Sequence, residues 1–141
     1  MKLFSSESGQ ILRQVIKFGV IIALVVLIVI EVGPLIWERF NVAQTAEDIA
    51  DSVANTYYAY HDKAQVIKDT TDKLKMAGFS DDEIRQASVE FLPPDGSVQS
   101  IKVTVVKYAN TLITKHISAL KKLSRIAASH ESGVLTPPPA K

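Results

Sequence analysis

Cysteine is absent from the 141 residues. That excludes disulfide staples, thiolate catalysis and cysteine-based metal sites, but it does not identify a compartment. An excess of one charge sign is missing too. Sixteen Lys and Arg stand against 15 Asp and Glu, so nothing draws the chain as a whole toward nucleic acid. The three histidines, His61, His116 and His130, lie far apart, and none has a second ligand at metal spacing. No phosphate-binding glycine loop and no nucleophile elbow occurs. The expectation is a non-enzymatic protein with no catalytic, cofactor-binding or metal site. Glycine and proline are also missing between Leu35 and Ala77, so nothing in that stretch interrupts a helix.

What the chain does have is one dense apolar block. Phe18 to Ile30 is unbroken, but thirteen residues rise only about 20 Å as a helix, short of the roughly 30 Å hydrocarbon core. Extension from Val15 to Trp37 gives 23 residues, or about 34 Å, which is enough. Lys17 can then snorkel to one interface, and Trp37 falls in the aromatic belt of the other. Lys2, Arg13 and Lys17 precede the run, whereas only Arg39 follows closely, among Glu38, Glu47, Asp48 and Asp51. The positive-inside rule therefore puts the N-terminus in the cytoplasm and the bulk of the chain outside. A cleaved secretory signal is the competing reading, but no A-x-A site follows the run closely. A buried core helix would be apolar on one face, and this run is apolar on all.

The expected layout is a cytoplasmic leader at 1–14, a transmembrane helix at 15–37, an extracytoplasmic α+β domain at 38–131 and a disordered proline-rich tail at 132–141. Beyond the anchor, apolar or small residues recur at Val42, Ala46, Ile49, Val53, Tyr57, Tyr60, Ala64 and Ile67, in steps of three and four. This spacing predicts one long amphipathic helix continuing from the membrane to about Met76, with Gly78 as its stop. Ser80-Asp81-Asp82-Glu83 fits a capping box, with Phe79 and Ile84 as the hydrophobic staple of a short helix to Ala87. Asp81 and Asp82 satisfy the positive end of that helix more simply than they make a catalytic acid pair.

Ser88 to Phe91 alternates like a strand, and Pro93-Pro94-Asp95-Gly96 is a turn. In Val98 to Tyr108 the residues Ile101, Val103 and Val105 face one way, and Lys102 and Thr104 the other. Asn110 is the expected cap of a further helix through Leu123, with Leu112, Ile113, His116, Ile117 and Leu120 inward. A last short strand is expected within Ser124 to Glu131. The fold class is α+β: the transmembrane helix continues into a long helix packed on a small antiparallel sheet.

Two features bear on function. From Gly96 to His130 the chain carries Lys102, Lys107, Lys115, Lys121, Lys122 and Arg125 and no acid. Such a surface either meets acidic neighbours or anionic lipid, or is complemented within the subunit. Glu31 is an ionisable group near membrane depth, where such groups usually have a partner or a role. It stands six residues, about 9 Å, inside Trp37. It either pairs with a group on a neighbouring helix or reaches headgroup water.

The organisation resembles that of type IV pilins, and most closely TadE/TadG-type pseudopilins of tight-adherence pilus systems. The matching pieces are Ser8-Gly9-Gln10 ahead of the anchor, the Ala-rich stretch Asn41 to Ala50, the strand Ile101 to Val105, and the small residues Arg125 to Ser129. The resemblance implies a pilin-like fold and a structural role in assembling a pilus or secretion apparatus. It implies leader cleavage between Gly9 and Gln10. The partners would be membrane lipid and other pilin-like or envelope subunits, or further copies of the chain, with no nucleic acid. In the membrane, Glu31 and Lys17 are the candidate subunit contacts. The family's glutamate at the fifth position after the cut is here Gln14, which cannot supply that charge. The alternative is a membrane-anchored module that binds a ligand or partner outside the cell.

Overall fold

A computed structural model describes residues 7–113 and 116–134. Helix α1 spans Glu7–Tyr60, 54 residues, or about 81 Å at 1.5 Å per residue. It runs through Pro34, whose missing N–H leaves the Ile30 carbonyl without its helical partner. Its apolar window is wholly exposed. Residues then become covered in steps of three and four. Glu31, Pro34, Leu35 and Glu38 are half-buried, and Val42, Ala46, Ile49 and Val53 are buried. One helix is thus apolar on every face and then apolar on one stripe.

The expected unbroken helix to Met76 is corrected. The chain turns at His61, where φ is 54°, a left-handed conformation that histidine tolerates better than most residues. Asp62 then caps α2 (Lys63–Met76) by accepting from the Ala64 N–H at 2.9 Å. The turn shifts the periodic pattern. Tyr60, Ala64 and Ile67 are exposed, and Val66, Thr70 and Leu74 are buried instead. Helix α2 folds back along α1: Thr56 donates to Asp69 at 3.2 Å, and Ala77 and Phe79 reach the level of Val42 and Thr45. Gly78, at φ +83°, ends α2 as expected.

Helix α3 (Asp81–Gln86) opens with the capping box. Ser80 Oγ accepts from Glu83 N–H, and Glu83 Oε2 accepts from Ser80 N–H at 2.8 Å. Phe79 and Ile84 both join the core. Asp82 pairs with Arg85 at 2.7 Å. Strands β1 (Ser88–Leu92), β2 (Ser100–Tyr108) and β3 (Arg125–Gly133) form an antiparallel sheet in that order. Ile101, Val103 and Val105 are fully buried with Val42, Ala46, Ile49 and Val53. On the other face Lys102 lies between Glu90 and Glu131 in register, and Thr104 meets Ser129 at 2.8 Å. Strand β3 extends two residues past the expected Glu131, and Val134 packs on the core. The rest of the tail expected at 132–141 lies outside the described residues.

The helix expected from Asn110 to Leu123 does not form. Its described residues make turns and a 3-10 helix at Lys121–Ser124. Most of the face expected inward lies outward: Leu112, Ile113, His116 and Ile117 are exposed, and Leu120 is half-buried.

The sheet's two faces should differ sharply in unfolding of the full chain in detergent micelles. Ile101→Ala should cost about 2–4 kcal/mol. Lys102→Ala, on the solvated face, should cost about 0–1 kcal/mol. Equal losses would contradict the assigned faces.

Candidate functional site at the foot of the domain

Strand β2 descends along α1 toward the apolar half of the helix. Lys107, near its end, places Nζ 3.6 Å from Glu38 Oε2 and 4.9 Å from the Phe79 ring centre. Tyr108 N–H donates to Glu83 Oε1 at 2.8 Å, so one carboxylate closes its own capping box and holds the strand end. Ala109 N–H donates to the Ser124 carbonyl at 2.8 Å and closes the base of the β2–β3 connection. The connection then reaches the helix. Leu112 N–H and Ile113 N–H both donate to Glu31 Oε2, each at 3.1 Å. A carboxylate oxygen taking two backbone donors is a charge-assisted arrangement, stronger than a neutral hydrogen bond. Leu123 lines a recess with Leu35 and Arg39. The connection therefore sits between the levels of Glu31 and Arg39.

The sequence-predicted residues fall as follows. Glu31 meets the backbone of its own chain, the first residue of α1 that the domain covers. Lys17 lies 14 residues, about 21 Å, away along the same exposed helix, and the structure does not bring the two together. Gly9 and Gln10 lie in the first turn of α1. The histidines sit on separate elements: His61 between α1 and α2, His116 in the β2–β3 connection, His130 in β3. Much of the basic segment is matched internally. Lys107 faces Glu38, Lys102 stands 3.9 Å from Glu90, and Arg125 donates to Gln86. Lys121 lies over the Tyr108 ring. Lys122 is exposed, and Lys115 lies outside the described residues.

Sequence reasoning singled out Glu31 but missed its partners. Their backbone amides carry no side-chain signature, and they lie 81 and 82 residues downstream. It also read Glu83 only as a local cap.

Compared with protein-family models, with curated proteins and with solved structures, the chain finds no match in any of the three. What the fold defines is a class: an α+β domain built on the second half of a helix whose first half is long and apolar enough to cross a membrane.

Glu31→Ala should release the two amides. Hydrogen exchange at Leu112 and Ile113 should accelerate about 5–30-fold, the equivalent of about 1–2 kcal/mol. Exchange at Tyr108, held by Glu83, should stay unchanged. Unaltered exchange at Leu112 and Ile113 would show that the carboxylate does not hold them.

Proposed function

We propose that the chain is a single-pass, non-enzymatic envelope protein of pseudopilin type, a structural subunit in the assembly of a pilus or secretion apparatus. The observation that carries this reading is the division of α1. Its first half is exposed on all faces, and its second half is the spine against which β2 and β3 pack. No linker separates anchor from domain, so a packing contact made by the membrane half fixes the orientation of the domain. That is a useful property in a filament subunit and of little use to a tethered binding module. The flanking charges put the N-terminus in the cytoplasm and the domain outside.

In this reading the Gly9–Gln10 bond is where a leader is removed. Gln14 offers no charge to a neighbour's new amine, and Glu31 is already engaged within its own subunit. Packing of apolar helix faces then becomes the main source of subunit contact. Gly33 has open space around its α-carbon, and Gly19 likewise, so a second helix can approach closely at both levels.

Single cysteines stepped through Ile22 to Val29 should form disulfides in membranes of the native host. The expected pattern is a ladder beyond the dimer, strongest at positions spaced three or four apart. Monomers at every position would contradict the assembly reading and favour the anchored binding module.

A further inference from the structure

The β2–β3 connection is an oddity in a domain surrounded by water. Leu112, Ile113, Ile117 and Leu123 are all exposed, Leu112 by 62% and Leu123 by 65%. They are not scattered singly: all four belong to one connection, at the end of the domain nearest the apolar half of α1. The covering agent is indicated by what they stand beside. Leu112 and Ile113 are fixed at the level of Glu31. The exposed apolar side chains of α1 do not stop there. Val32, Ile36, Trp37 and Phe40 continue the exposed surface outward, Trp37 at 70%. A bilayer whose interface lies at Trp37 extends about 9 Å beyond the level at which the connection meets the helix.

We propose that this connection is a second membrane-contacting element, with Leu112, Ile113, Ile117 and Leu123 seated in the interface of the leaflet on the domain side. The proposal rests on the reading that α1 spans a bilayer, and adds to it. Three features fit a lipid surface. Four large apolar side chains of the connection are exposed, in a segment with no acid from Gly96 to His130. Lys122 is exposed beside them, with Arg39 and Arg125 bordering Leu123, as suits attraction to anionic headgroups. Backbone donors entering lipid must find acceptors within the protein, and Glu31 supplies one to two of them at the lipid-facing residues. This gives the intramembrane carboxylate a role: it satisfies the backbone of an inserted loop.

The absence of native cysteine makes the test clean. Full-length chains carrying Leu112→Cys, Ile117→Cys, Val25→Cys or Ser97→Cys are labelled with an environment-sensitive NBD dye. They are reconstituted in vesicles of phosphatidylcholine with phosphatidylglycerol. Ser97, exposed on the β1–β2 connection at the opposite end of β2 from the foot, reports water, and Val25 reports the bilayer core. Lipids spin-labelled near the headgroup should quench the dyes at 112 and 117 at least about threefold more than the dye at 97. Iodide should quench mainly 97. If 112 and 117 behave like 97 while 25 remains lipid-quenched, the proposal is overturned and the anchor reading stands. If 25 also escapes lipid quenching, the anchor reading fails and takes the proposal with it. Blue-shifted dyes at 112 and 117 that neither lipid nor iodide reaches would mean that a second copy covers the connection, which also overturns the proposal.

Discussion

A helix that serves two solvents has to change its pattern without ending. In lipid every backbone group is satisfied inside the helix and every face can be apolar. In water the same helix is stable only if one stripe is buried. In this chain the burial pattern changes at Glu31. Before it the exposed apolar residues run on all sides. From it, coverage begins and proceeds through Pro34, Leu35, Glu38, Val42, Ala46, Ile49 and Val53. The rest of the domain is arranged to supply that stripe with a partner. Helix α2 returns along α1, and the sheet brings Ile101, Val103 and Val105 against it.

Two carboxylates fix the end of β2 and the connection that follows it, and both do so through backbone amides. Glu83 joins the start of α3 to Tyr108, and Glu31 joins α1 to Leu112 and Ile113. Backbone donors are fixed by the chain's path, so such contacts set register with little freedom. Side-chain ion pairs on long stems do this poorly. The Lys107–Glu38 pair, one residue before Tyr108, joins the end of β2 to α1 and adds charge matching there. The foot of the domain is thereby tied to α1 at two levels, Glu31 and Glu38.

Local physics made part of this legible in advance. The apolar run, the Ser80–Glu83 capping box, the alternation of β2 and the presence of a last strand all depend on neighbours within a few residues, and the sequence carries them directly. The break at His61 is less visible, because Asp62 reads equally well as a solvated helical residue until the return of α2 shows that it is a cap. The Asn110–Leu123 segment is the instructive failure. Its apolar residues recur at helical spacing, yet two of its amides are taken by a carboxylate 81 and 82 residues earlier, and the face that looked like a core face is exposed except at half-buried Leu120. Periodicity reports that a surface seeks an apolar surrounding; it does not say whether that surrounding is the protein or lipid.

The central claim is that α1 passes from lipid to domain at Glu31 without a break. The most direct measurement is a spin-label accessibility scan along Leu24 to Val42 in bilayers, comparing oxygen with a water-soluble nickel chelate. For the chain reconstituted alone at high dilution in lipid, the account predicts oxygen access on every face through Ile30. Beyond it the faces should part, with Pro34, Leu35 and Glu38 shielded from both probes while Ile36 and Trp37 stay open to oxygen. Access of the nickel chelate to all faces at a single level before Glu31, or along the whole scan, would contradict it.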